Sequence, residues 1–442
     1  MPSLQRSRRY MGNDAGETIT IFEDYPSALG KLDADRAATL SSFKEIVGSQ
    51  NCTLESDGTF TFRRYVGFIC KDNIRLQILP KIYAPGCDPG SVEEEKASLS
   101  FLYNLLAWSG FLSHKVLTSS SVGVEEGDLV EILIKIFIDC FLHLYSRSIH
   151  YAYERYEDDL VFVKGKILFP ETFQTSTRRP GFLHVVYDEF SIDNPLNRIF
   201  RSTMRRLIAT SSSPENKKLL RQGLCFLEDV TDIELTREDF TRVSFNRNNS
   251  EYGPLFRLAR LFYGHMRPSL RSGETRTLAF LVPLNRLFEY FVFTILREIP
   301  GIGGEVIYHS RRYLGTNLAG GRVFKVEPDF IIRGKHGTSM ILDTKYKNPL
   351  DSSGSPSISS QDIYQICTYA QRYHCLSTAL IYPRFVGQVK KPLIERYALN
   401  SAIGNIRLSI IQIDITRDDK QSILQDLSEG LGVNETSPER SF

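Results

Sequence analysis

No pair of the seven cysteines (Cys52, Cys70, Cys87, Cys140, Cys225, Cys367 and Cys375) has CxxC spacing. No histidine cluster flanks them either, which argues against a structural zinc site and reads as reduced thiols in a cytoplasmic protein. His374 does lie near Cys367 and Cys375, but a helix packing cysteine inward explains that without metal. A long apolar run is also missing. The richest stretch, 129–144, is broken by Glu131, Lys135 and Asp139, so it reads as a buried helix and no membrane span is expected. The basic N-terminus lacks the apolar stretch of a signal peptide. Net charge is only +2, so binding to nucleic acid would need local basic surfaces or a partner. There is no GxxxxGK[ST] loop, so the chain is not expected to hydrolyse nucleotide itself.

What is present suits a globular protein. The 442 residues are 42% hydrophobic and 24% charged, enough for roughly three domains. Residues 1–16 read as a disordered leader and 426–442 as a disordered tail. Residues 17–125 read as a β-rich domain, with strands at Thr59–Cys70 and Ile74–Leu79 that Pro80 ends. Residues 126–275 read as a mainly helical middle domain. Its expected pieces are a helix over 129–153, a second opened by Asp193-Asn194-Pro195, and strands at 160–169 and 183–187. Residues 276–425 change rhythm. A helix over 284–298 precedes strands near 304–313, 322–333 and 338–346, then a helix over 360–373 and strands at 377–383 and 405–415. The expected fold class is therefore α+β and multidomain, ending in an αβββαβ core with a mixed sheet.

The stretch that carries chemistry runs Val326-Glu327-Pro328-Asp329-Phe330, then a turn at 334–337, then Ile341-Leu342-Asp343-Thr344-Lys345. Folding one strand back on the other sets Asp329 almost opposite Asp343, and strand alternation puts Lys345 on the same face. Two carboxylates so close repel unless a cation or proton lies between them. Oxygen ligands with room for water and phosphate suit Mg²⁺, with Mn²⁺ as a substitute. Such an ion polarises a phosphodiester and acidifies bound water, and Lys345 is placed to orient that water or steady the transition state. Of Thr344, only the backbone carbonyl is expected to reach the metal. A surface hairpin with one salt bridge is the plainer reading, but Ile341 and Leu342 lead apolar into Asp343, which argues for a central strand.

Pro328-Asp329, the Asp343-Thr344-Lys345 triplet and the αβββαβ order resemble the PD-(D/E)xK nuclease superfamily. Further segments are similar to McrC, the nuclease subunit of McrBC-type restriction systems, which act on 5-methylcytosine DNA in antiviral defence. These are YVGFI at 65–69, ILPKI at 78–82, YDEFSIDNPLNRI at 187–199, Leu287-Phe288-Glu289, ILDTKYK at 341–347, and Asp362-Ile363-Tyr364-Gln365 followed by Tyr369-Ala370. The resemblance implies an Mg²⁺-dependent DNA endonuclease cutting double-stranded DNA, with two copies needed for a double-strand break. It also implies a separate McrB-like AAA+ GTPase motor, docked on residues 17–125. Glu289 matches a first-helix glutamate that faces the metal in this superfamily, or is an ordinary solvated helix residue. Gln365 and Tyr369 match the family's pair beside the active site, and share a helix face opposite Ile363, Ile366, Cys367 and Ala370.

Arg198, Arg201 and Arg205 form one stripe that either tracks DNA phosphates or is a solvated basic face. Lys164 and Lys166 are further candidate DNA contacts. Two other functions fit the same residues: a stand-alone repair or recombination nuclease, or a non-catalytic adaptor of a motor NTPase.

Overall fold

The computed structural model describes residues 5–6, 8–11, 17–29, 33–71, 74–82, 92–109, 128–265, 278–335, 337–351, 353–388, 394–415, 417 and 419–433. The chain divides into two compact units. Residues 115–268 form one; residues 1–114 together with 269–442 form the other.

In the discontinuous unit, Tyr65–Lys71 and Ile74–Leu79 pair antiparallel, and Glu17–Phe22 joins Ile74–Leu79 in parallel. Ile19, Ile21, Ile69, Leu76 and Ile78 bury against Leu40, Phe43, Phe60 and Phe62. Two corrections to the expected boundaries follow. Arg8–Met11, expected in a disordered leader, pairs with 17–20 at one edge of this sheet. Leu278–Pro283, expected to open a separate C-terminal domain, pairs with residues 65–70 at the other edge. The apolar run LAFLVP gains more by completing this buried sheet than by standing alone.

Gly67 permits that pairing. Its φ is +132°, and a Cβ there would lie 2.0 Å from the carbonyl oxygen of Phe280. Any side chain would push Leu278–Pro283 away.

The same unit holds a six-stranded mixed sheet. Its order is Glu305–Tyr308, Phe330–Gly334, Gly337–Thr344, Ser377–Pro383, Ile406–Ile413, Ile394–Leu399. Gly337–Thr344, Ser377–Pro383 and Ile406–Ile413 run parallel to one another, and the other pairings are antiparallel. Parallel strands are covered on both faces, and Thr378 to Tyr382 are accordingly all buried. Helix Leu284–Glu298 buries Leu284, Leu287, Phe288, Phe291, Val292 and Ile295, a stripe at helical spacing. Helix Ser360–Tyr373 starts at Ser359, whose hydroxyl accepts the Asp362 N–H at 3.2 Å. Helix Lys420–Leu431 runs into the expected disordered tail and ends on Gly432 in the left-handed conformation; residues from 434 on lie outside the described ones.

The strand expected over 322–333 is divided. Arg322–Val326 pairs with Arg312–Thr316 in a separate two-stranded sheet, and Phe330–Gly334 enters the large one. Pro328 lies at the break, where it cannot donate to a ladder. Asp329 therefore stands at the mouth of a strand.

In the unit of residues 115–268, helix Leu129–Tyr145 is buried nearly all round, with Phe137 edge-on to Phe262 and Phe141 edge-on to Phe200. The buried Glu131 carboxylate accepts from the Ser211 hydroxyl at 2.7 Å, the Ser212 N–H at 2.6 Å and Asn216 Nδ2 at 2.9 Å. The helix expected to reach residue 153 stops at Tyr145. From Ala152 the sequence AYERYEDDL alternates and forms a strand, Ala152–Leu160, antiparallel to Leu183–Ser191. The strand expected over 160–169 shrinks to Lys166–Ile167, because Pro170 opens a helix over Phe169–Arg178.

Gly67→Ala is expected to destabilise the protein by about 1–3 kcal/mol or more, combining strain at positive φ with the Phe280 clash. Gly315→Ala, which meets only Val323 at 3.9 Å, is the control and should leave the thermal midpoint nearly unchanged. Equal midpoints for the two variants would contradict the pairing.

Candidate active site

The site is built where the hairpin strands meet. Phe330 pairs with Leu342 and Ile331 with Ile341, so the next positions outward are Asp329 and Asp343. Gly337–Thr344 has neighbours on both sides, which buries the end of the strand. Asp343 is only 2% exposed. Its carboxyl is pushed up to about 7, chiefly by burial and then by the Asp329 charge, with Lys345 opposing.

Thr344 fixes Asp329. Its N–H and hydroxyl both donate to Asp329 Oδ2, at 2.7 and 2.6 Å. The Thr344 side chain, to which the sequence assigns no contact with metal, is thus the clamp on the neighbouring carboxylate. Lys345 Nζ forms an ion pair with Asp343 and donates to Gln365 Oε1 at 3.0 Å. Burial works against the Lys345 charge, but Asp343, Asp329 and Asp362 outweigh it and hold the ammonium above its ordinary range.

A relay of hydrogen bonds continues from there. Gln365 Nε2 donates to the Tyr369 hydroxyl at 2.7 Å, which donates to the Glu327 carbonyl at 3.3 Å. Tyr369 differs from expectation. Expected on the face opposite Ile366, it is instead buried in the same apolar cluster as Ile366, with its hydroxyl in the relay.

Glu289, on helix Leu284–Glu298, is 7% exposed and hydrogen-bonded to His309. Burial and then Asp329 raise its carboxyl, with His309 opposing. The ligand atoms of Glu289, His309 and Asp329 lie within 4.8 Å of one another. Asp329 is electrostatically linked to both Glu289 and Asp343, so three carboxylates share the centre with one lysine and one histidine. That oxygen-rich set, with the Asp343 and Glu289 carboxyls both raised by burial and by the Asp329 charge, fits a divalent ion.

One residue here escaped the sequence reading, and a second, Asp362, was quoted only within a family-like segment and given no role. His309 follows Glu305–Tyr308 with no motif around it, and only the strand pairing brings it to Asp329. Asp362 is 4% exposed, paired with Lys347 at 2.6 Å and accepting from the Tyr382 hydroxyl at 3.2 Å.

The candidate DNA contacts are placed in the other unit, engaged locally. Arg198 pairs with Asp193 at 2.7 Å, Arg201 donates to the Glu228 carbonyl at 3.0 Å, and Arg205 pairs with Asp232. The stripe ties its helix to the 227–233 segment instead of presenting a run of unpaired cations. Lys164 pairs with Glu189 at 3.3 Å and lies over the Tyr187 ring. Lys166 is exposed, on a sheet that also carries Glu154, Glu157, Asp158, Asp159, Asp188 and Glu189.

The raised Asp343 carboxyl has a definite sign for stability. The folded chain holds this proton up to about pH 7, while an unfolded aspartate loses it near pH ~4. Without a divalent ion, this group's contribution to stability therefore falls as pH rises from ~4 through about 7, and stays low above that. At pH 6, calorimetric titration with Mg²⁺ in buffers of different ionisation enthalpy should show release of roughly one proton. Asp343→Asn should abolish that release; an unchanged value would rule out Asp343 as its source.

The sequence matches the family model described as "McrBC 5-methylcytosine restriction system component" over residues 60–383. It is 21% identical over 321 residues to the type IV methyl-directed restriction enzyme EcoKMcrBC of Escherichia coli (strain K12), covering 68% of this chain and 88% of that relative. Among solved structures, it is similar to a chain of a half-complex from the tetradecameric assembly of Thermococcus gammatolerans McrB AAA+ hexamers with bound McrC. The TM-score is 0.65 at 22% identity, over 93% of this chain and 99% of that one, a likeness that bears on the fold. Since the family model spans well over half of its length, the chain belongs to the McrBC 5-methylcytosine restriction system component family.

Proposed function

We propose that this chain is the McrC-type nuclease subunit of a McrBC restriction system, a PD-(D/E)xK endonuclease that hydrolyses phosphodiester bonds in foreign, modified DNA. The observation that carries this reading is the buried Asp343 carboxyl beside Asp329 and Lys345 at the end of a central strand. A stability-only role would not account for two carboxylates held together at that position, since an apolar pair would cost less. The absence of a GxxxxGK[ST] loop supports the nuclease subunit over the motor subunit.

Asp329 and Asp343, with Glu289 beside them, would hold Mg²⁺, and Mn²⁺ could take its place. When bound, the ion supplies Lewis-acid activation of the phosphodiester and of a water nucleophile. Lys345 carries a positive charge, kept by its carboxylate neighbours, to where negative charge builds in the transition state. Gln365 and Tyr369 set the position of that ammonium through the relay to the Glu327 carbonyl. Thr344 keeps Asp329 from turning away.

The solved relative contains McrB AAA+ hexamers with bound McrC. By analogy, a separate AAA+ GTPase would bind this chain, through residues 17–125, and bring its site to DNA. One such site cuts one strand, so a double-strand break would take two copies.

Plasmid cleavage with the cognate motor, GTP and Mg²⁺ tests the reading directly. Wild type should cut and Asp343→Ala should not, whereas Lys345→Ala should slow cleavage by roughly 10²–10³-fold. Equal cutting by wild type and Asp343→Ala would place the nuclease elsewhere and leave this chain an adaptor.

A further inference from the structure

We propose that His309 is itself a metal ligand, making a mixed nitrogen–oxygen centre with Glu289 and Asp329 that favours Mn²⁺ and later first-row ions over Ca²⁺. This rests on the nuclease reading for the presence of a divalent ion, and adds a ligand and an ion preference to it.

Three separate elements deliver the three groups. Glu289 comes from helix Leu284–Glu298, His309 directly follows strand Glu305–Tyr308, and Asp329 directly precedes strand Phe330–Gly334. Tyr308 pairs with Phe330, and the His309 N–H donates to the Asp329 carbonyl at 3.0 Å. The backbones of the two candidate ligands are thus locked to each other before any ion arrives. His309 also sits in the left-handed region, at φ 53°, a conformation that non-glycine residues adopt at a cost.

The surroundings support ligation. The ligand atoms lie within 4.8 Å of one another, and among the described residues this is the one group of three His, Cys, Asp or Glu side chains so arranged. The Tyr308 ring lies against the His309 ring, with centroids 4.1 Å apart, so the imidazole is oriented from outside. An imidazole that only neutralised Glu289 would need no proximity to Asp329. Imidazole nitrogen raises affinity for transition ions relative to Ca²⁺, which takes oxygen donors.

The probe is Mn²⁺, added at one equivalent to the full chain without DNA or nucleotide. Pulsed electron paramagnetic resonance should show ¹⁴N modulation from a directly bound imidazole, replaced by the ¹⁵N pattern in protein made with ¹⁵N-histidine. His309→Asn should lose the modulation and weaken Mn²⁺ binding roughly 10-fold or more, with a smaller effect on Ca²⁺. Asp329→Asn should lose the signal too, placing it at this centre. Mn²⁺ bound without nitrogen modulation, or modulation that persists in His309→Asn, overturns the ligand role and leaves the nuclease reading intact. If His309→Asn does not fold, the ¹⁵N-histidine comparison together with Asp329→Asn decides on folded protein. No Mn²⁺ binding by the wild type would overturn the centre itself, and the nuclease reading with it.

Discussion

A carboxylate almost wholly removed from water, Asp343, is the constraint around which the large sheet is organised. Burial, with the Asp329 charge, holds its carboxyl well above the ordinary aspartate range, so ionising it in place carries a cost. Lys345 offsets part of that cost, and the second carboxylate, Asp329, adds to it. Thr344 then prevents the obvious relief, since its two hydrogen bonds keep Asp329 from rotating away. A fold selected only for stability would not keep this arrangement, because apolar residues of the same size would pack there more favourably.

Much of this was legible in the sequence, for physical reasons that can be named. Strand alternation and a four-residue connector with terminal glycines announce a hairpin that brings Asp329 near Asp343, but the bulge between Ile332 and Arg333 that shifts the pairing by one residue and sets the two opposite is not legible. Ile341 and Leu342 announce a buried strand. Pro328 was read as part of a motif, although its missing N–H also breaks the strand and sends Arg322–Val326 into a different sheet. His309 was not legible, because its place depends on pairing between strands far apart in sequence. Tyr369 was legible as a residue and misplaced as a surface, since helical spacing gives a face but not what lies against it.

In the unit of residues 115–268, charge patterns were less informative than they looked. Three arginines at helical spacing are equally consistent with a ligand surface and with internal pairing, and local acids and carbonyls decide for pairing. The alternating strand Ala152–Leu160 is different: its acidic residues and exposed Tyr153 leave it open to solvent on both faces.

The pairing of Leu278–Pro283 with the strand that carries Gly67 also sets an order of events during synthesis. The segment 115–268 is continuous and can close its own core as it leaves the ribosome. The N-terminal sheet cannot. Its edge at Tyr65–Lys71 waits without a partner until the intervening unit and the strand after it have both been made. A nascent chain halted before residue 278 therefore carries an open β-edge, and the residues that form the hydrolytic centre have yet to be translated. Assembly of the sheet and of the chemistry are thereby tied to the same late stretch of chain.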